Sequence, residues 1–373
     1  MRNLRSGFVL AFVFGMWLGL CGRCSAQYTL PPADCSHPIE YLISSLKSKD
    51  VDTRVNAAQC LGKSGDRRAA EPLVRALFAE KYPRFIQIYE ESLRDLDDPQ
   101  TANLLLAALD SPQTRWLAAH SVGRLQIEPG VEPLLKLLNS SDNGDRRIAA
   151  DSLGPMKDAR AFAPLSAALK DKDEVVRRYA ADSLGKMGDE RAVDPLIAAL
   201  LDSDDGVRWN AANSLGDLHD SRAVMPLARA LGDDDQNVQR AAAKALGKIR
   251  DPQATKALAV AIKSGSRAVR WESAAALAEI GGPDAEEALV GSLNDGNLVA
   301  VAGGYRFFIR KGSTASIPNL IQTLNQSHDE SMAQDLRFCG NSWLEAAARE
   351  WAVKNEKDDW EAGDSPLTWG SER

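Results

Sequence analysis

The stretch at residues 207–231, VRWNAANSLGDLHDSRAVMPLARAL, decides the fold because it occurs three times in one frame. Residues 176–200 read VRRYAADSLGKMGDERAVDPLIAAL, and residues 238–262 read VQRAAAKALGKIRDPQATKALAVAI. The copies begin at Val176, Val207 and Val238, a constant interval with nothing inserted or lost. Positions one, five and nine of the middle copy (Val207, Ala211, Leu215) share one face of a helix turning 100° per residue, so the first half of the unit reads as an amphipathic helix. Ala212 and Gly216 flank that face and are small, which lets the next helix approach closely. Asp66, Asp158, Asp189, Asp220 and Asp251 recur in the turn that follows, where a carboxylate can cap exposed N–H groups. Pro72, Pro133, Pro164, Pro195 and Pro226 stand early in a second helix, where a missing N–H does least harm.

Working outward, the leucine of the LG pair aligns Leu61, Leu93, Val122, Leu153, Leu184, Leu215, Leu246, Leu277 and Phe308. Nine units follow without a linker, and a tenth, weaker one runs from about Ser331. A single helical hairpin of this length cannot bury both of its apolar stripes, whereas stacked neighbours can. The expected fold is therefore all-α, a right-handed α-solenoid of about nine to ten helical-hairpin repeats. Two units depart from the pattern: Tyr89 and Glu90 in the second, and Gly304 and Tyr305 in the ninth, replace the small alanine pair. A change of curvature is expected at each.

The pattern VRxxAAxxLGxxGDxRAVxPLxxAL resembles the PBS-lyase-type HEAT-like repeat and is similar to the consensus of artificial α-repeat binders. The resemblance covers roughly residues 51–350. In those binders the variable first-helix positions form a concave recognition face.

The chain divides on this reading into a leader at 1–26, an N-terminal segment with a capping half-repeat at 27–50, a solenoid at 51–355 and an acidic, disordered tail at 356–373. MRNLR followed by the apolar run GFVLAFVFGMWLGL and then CSA has the layout of a secretory signal peptide. A secreted or periplasmic location is expected, ahead of a lipoprotein or an N-terminal anchor. Lys and Arg number 45 against 52 Asp and Glu, and the leader removes three arginines. An acidic chain has no general attraction for nucleic acid, and no later run is long enough for stable membrane insertion. Cys60 and Cys339 occupy slots held by small or apolar residues in other copies and read as buried hydrophobes. A Cys35–Cys60 bridge is open to an oxidising compartment, without a wider disulfide framework.

Catalytic chemistry finds little support. The HEAT-repeat oxygenase that hydroxylates deoxyhypusine holds two irons with His-Glu pairs. Here His37, His120, His219 and His328 precede Pro38, Ser121, Asp220 and Asp329. No nucleophile elbow, P-loop or metal-spaced cysteine pair is present, so neither a catalytic residue, a metal site nor a cofactor is expected. The enzymatic analogy is the phycobilin lyase subunits, which share the repeat and imply a cofactor-handling alternative.

Variation concentrates at positions three, four, seven and eleven of the first helix, opposite the buried stripe. Position three reads Trp116, Arg147, Arg178, Trp209, Arg240, Trp271 through six units. The expected protein- or peptide-binding set is that row with His120, Arg124, Tyr179, Asn210, Asn213 and Lys244, since Trp and Arg dominate binding hot spots. The competing reading has each Trp packed over the adjacent helix, with Arg147–Asp151 and Arg178–Asp182 as local i,i+4 pairs. Arg240, Lys244 and Lys248 form a basic row, with Arg306 and Arg310 two units on.

Overall fold

The computed structural model describes residues 35–327, 329–357 and 367–371. The leader, residues 27–34, His328 and Trp360 lie outside the described residues. Within them the chain is an all-α solenoid, grouped into two units at residues 1–156 and 157–373.

The first unit holds α1 (Ile39–Ser45), α2 (Val51–Ser64), α3 (Ala70–Ala79), α4 (Pro83–Leu96), α5 (Pro99–Ala108), α6 (Arg115–Arg124), α7 (Val131–Leu138) and α8 (Asn143–Met156). The second holds α9 (Phe162–Ala168), α10 (Glu174–Met187), α11 (Val193–Ala199), α12 (Asp205–Leu218), α13 (Val224–Ala230), α14 (Gln236–Ile249), α15 (Thr255–Ser264) and α16 (Arg267–Ile280). It continues through α17 (Pro283–Asn294), α18 (Leu298–Gly303), α19 (Tyr305–Lys311), α20 (Ile317–Ser327), α21 (Glu330–Arg337) and α22 (Ser342–Lys354). First helices pack on first helices: α2 on α4 and α6 on α8 in one unit, α10, α12, α14 and α16 in sequence in the other. Each second helix lies against the first helix of its own or the following repeat, as α11 does on α12 and α13 on α14.

The core follows the repeat frame. Val176, Leu184, Val207, Leu215, Val238 and Leu246 are all fully buried. The glycine of the LG pair is there for the close approach: a Cβ on Gly216 would stand 2.8 Å from the Cα of Ala245, and one on Gly185 2.5 Å from the Cβ of Ser214. It does not end the helix. The left-handed residue comes three positions later, at Gly65, Gly188, His219 and Arg250. The recurrent turn aspartates act as expected. Asp66, Asp158, Asp189, Asp220 and Asp251 each accept from the backbone N–H two residues on, opening a 3₁₀ turn into the second helix.

Three local expectations are corrected. Cys60 is buried, but it is bonded to Cys35, which ties the segment before α1 to α2. The ninth repeat splits its first helix at Gly304 into α18 and α19, where a Cβ would stand 2.9 Å from Leu289 Cδ2 and glycine weakens the helix. The tail is not structureless throughout. Trp369 N–H donates to the Cys339 carbonyl at 2.8 Å and Gly370 N–H to that of Ile309 at 2.9 Å. Lack of periodicity excludes a helix but leaves main-chain docking open, and residues 367–371 use it.

Candidate functional site

Positions two and three of the first helix are neighbours in sequence and opposite in role. Position two is a staple. In α10, Arg177 Nη1 donates to the Asp171 carbonyl at 2.9 Å, and its Nε and Nη2 grip the Asp202 carboxylate at 2.8 Å each. One repeat on, Arg208 does the same to the Asp202 carbonyl (2.9 Å) and the Asp233 carboxylate (2.8 Å twice). In the first unit Arg54 grips Glu80 and Arg115 grips Asp145. These guanidiniums join one inter-repeat loop to the next. Burial pushes the carboxyls of Asp202 and Asp233 up, but the arginines together with the Asp204 and Asp235 N–H groups outweigh it and hold both below their ordinary value.

Position three faces outward. Trp116, Trp209 and Trp271 keep 37%, 38% and 37% of their surface accessible, so none is sealed into the stack. In the second unit the stripe 3, 7, 11 makes a grid across four adjacent helices: Arg178, Asp182, Lys186 on α10; Trp209, Asn213, Asp217 on α12; Arg240, Lys244, Lys248 on α14; Trp271, Ala275, Glu279 on α16. Much of its charge closes internally. Lys186 pairs with Asp182 at 2.5 Å, Lys248 with Asp217, and Arg250 with Glu279.

Arg178 corrects the sequence reading. Its guanidinium bonds Asp204, the N-cap of α12, at 2.6 and 2.5 Å rather than Asp182, and it lies across Gly206, where an added Cβ would collide with Arg178 Nε. That bond, first, and the Val207 N–H hold the Asp204 carboxyl below its usual value. Arg178 therefore serves the stack. Asn213 donates to the Trp209 carbonyl at 3.0 Å, and Tyr179 and Asn210 are half-buried beside the row. The basic row is thinner than its sequence suggests. Lys248 is paired, Arg306 bonds Asp335 at 3.3 Å, and Arg310 donates to the Ala278 carbonyl. Arg240 and Lys244 are exposed and, among the described residues, close no ion pair. Both face Glu272, whose carboxyl burial pushes up against their opposing pull.

Between α14 and α16 a cavity of about 570 Å³ opens beside Lys244, Glu272, Ala275 and Ala276, with His219 at its rim. Small residues, Gly247, Ala275 and Ala276, form part of its lining. The Arg250–Glu279 pair divides it from a second cavity of about 410 Å³ near Gly281 and Arg310. His219 is the exposed left-handed cap of α12, with Nδ1 2.9 Å from the Lys248 carbonyl.

The first unit carries its own version. Trp116, His120 and Arg124 run along α6, and the Trp116 and His120 rings stack with centroids 5.6 Å apart. Beneath them lies Glu90, 2% exposed, accepting from Ser121 Oγ at 2.8 Å. His120 Nε2 is 3.8 Å and Arg124 Nε 3.6 Å from its oxygens, and His120 Nδ1 is 3.9 Å from Asp151. Arg147 stands on α8, half-buried, in the same unit. The sequence shows Glu90 only as a bulky intrusion and leaves its role unread. The signal is there, since a buried carboxylate demands donors, and Ser121 and Arg124 stand in the next repeat. Among the described residues no group of three or more His, Cys, Asp and Glu is arranged to hold a metal ion, and no helix is long and apolar enough to cross a membrane.

The chain matches the family described as HEAT repeats over residues 39–126, 131–209, 197–262 and 227–303. No curated protein matches it. Among solved structures it is similar to an engineered protein at 22% identity, covering 87% of this chain and 99% of that one, with a TM-score of 0.43. It is also similar to the CpcE–CpcF complex of phycocyanin lyase from Nostoc sp. PCC7120, at 24% identity, 60% and 94% coverage and a TM-score of 0.39. Human deoxyhypusine hydroxylase follows at 20% identity, 64% and 94% coverage and a TM-score of 0.30.

Proposed function

Because the chain belongs to the HEAT-repeat family, we propose that it is an exported scaffold binding a protein or peptide on the face formed by its first helices. It would do so without a catalytic centre. The observation that carries this reading is the Trp209–Arg240–Trp271 row, three large or cationic side chains kept accessible on adjacent helices whose opposite faces hold the core. Large aromatic side chains flanking an arginine are the composition of binding hot spots. The Cys35–Cys60 bond supports an oxidising compartment, where such bonds persist. Removal of residues 1–26 on export is part of the same reading, and N-terminal sequencing of exported protein that still starts at Met1 overturns it.

Trp209→Ala tests the binding face directly. The variant keeps its helicity and melting temperature, while the partner co-purified from the extracytoplasmic fraction binds more weakly by about 2 kcal/mol, the scale of a central anchor. A strongly destabilised variant whose folded fraction binds normally overturns the proposal.

A further inference from the structure

Building on that binding face, we infer that the Trp209–Arg240–Trp271 row takes a polyproline II segment with an acidic residue at its centre, in the pattern Pro-x-x-Glu-x-x-Pro. Spacing and charge both select this ligand. The three side chains occupy the same position on α12, α14 and α16, which pack in sequence. Packed helices lie about 8–10 Å apart, so the two tryptophans are separated by roughly 16–20 Å. A polyproline II helix repeats every 3 residues with a rise of about 3.1 Å, or about 9 Å per turn. One turn of such a ligand therefore matches one step of the array, and residues i, i+3 and i+6 meet successive helices with the same face. A β-strand cannot do this, because its side chains alternate and residues three apart point to opposite sides.

Chemistry fixes the order of the three contacts. Indole faces accept proline rings, as in other aromatic-lined grooves that recognise this conformation. The central contact falls on Arg240, which with Lys244 keeps its charge open, while Arg178, Lys248 and Arg250 beside them are closed on Asp204, Asp217 and Glu279. The carboxylate available to the two cations within the protein is that of Glu272, whose burial opposes its ionisation. A ligand carboxylate adds a counter-charge on the solvent side of the two exposed cations. The cavity beside Lys244 leaves room for the residue that follows the acid.

The test uses the full chain without its leader, labelled with ¹⁵N, and the peptide Pro-Ala-Ala-Glu-Ala-Ala-Pro, capped at both ends. Saturable shifts of the Trp209 and Trp271 indole signals are expected at millimolar peptide, with the Trp116 indole unmoved. Replacing the glutamate by glutamine, or Arg240→Ala in the protein, weakens binding at least fivefold. So does closing the spacing to Pro-Ala-Glu-Ala-Pro. Absence of any shift at millimolar peptide overturns the inference, as does equal binding of the short-spaced peptide. A phosphoserine peptide that binds far more tightly without regard to spacing reassigns the surface to phosphate and also overturns it. If Trp209→Ala spares the fold and weakens the native partner while this peptide fails, the ligand assignment alone falls. If Trp209→Ala unfolds the protein, the binding face itself falls.

Discussion

Arg208 and Trp209 are consecutive residues on α12, and they belong to two different regions of the molecule. Arg208 lies on the loop edge, largely buried and gripped by Asp233 and by the Asp202 carbonyl. Trp209 lies on the outward face with more than a third of its surface accessible. The two differ by 100° around the helix axis. That rotation separates residues that hold one repeat to the next from residues left for something else. Repetition at position two, where arginine recurs in α6, α8, α10, α12 and α16, marks an internal requirement. Position three is mixed: Arg178 is drawn into the stack, while Trp209, Arg240 and Trp271 stay on the surface.

The contrast is broken most severely from beneath. Leu215→Ala removes the buried anchor that holds both residues in place and is expected to cost on the order of 2–5 kcal/mol. Thermal unfolding followed by circular dichroism checks it, and because repeats support one another locally the transition is expected to broaden or split. An unchanged midpoint removes Leu215 from the core. Next is Arg208→Ala, which leaves the Asp233 carboxylate without its partner and the Asp202 carbonyl without its donor. A loss of about 1–3 kcal/mol is expected, read as a lower urea midpoint.

Acid titration sharpens the same point. Asp202, Asp204 and Asp233 titrate below their ordinary value in the folded chain. Their contribution is therefore complete above the unfolded value of about 4 and is lost as the pH falls through the lowered folded values. Stability should decline below about pH 4, and Arg208→Ala should decline less steeply because the Arg208 part of the Asp233 share is already gone, the Asp235 N–H bond remaining. Parallel acid curves for the two proteins contradict the staple. Trp209→Ala comes last, with a stability change of about 0.5 kcal/mol or less, typical of a surface position. A melt lowered as far as that of Arg208→Ala would merge the two regions into one.

The frame of the fold is legible because it rests on short-range rules. Leu184 and Leu215 recur in register from one unit to the next, and Asp189 and Asp220 stand where a turn needs an acceptor. The staples are harder to read. Arg177 and Asp202 are distant in sequence, and only the stacked geometry shows that a loop carboxylate returns to the preceding arginine. Arg178 misleads for the same reason. Its local option at Asp182 follows from helix periodicity, but Asp182 is taken by Lys186, and Arg178 reaches across to a cap in the next repeat. Glu90 reads as a misfit because its donor on α6 comes from another repeat. The docked tail depends on main-chain bonds, which leave no trace in side-chain pattern.

The staples also set how the second unit carries load. Arg177 ties Asp171 to Asp202, and Arg208 ties Asp202 to Asp233, so three successive loops are coupled in series by ionic links. At the next position stands Gln239, a neutral side chain whose amide reaches back to the Asp233 carbonyl at 2.5 Å. The charged series ends there. The larger cavity lies toward the other end of α14 and α16, where the Arg250–Glu279 pair joins them. Charged ties thus hold α12 to α14 at both ends, and α14 to α16 at the far end.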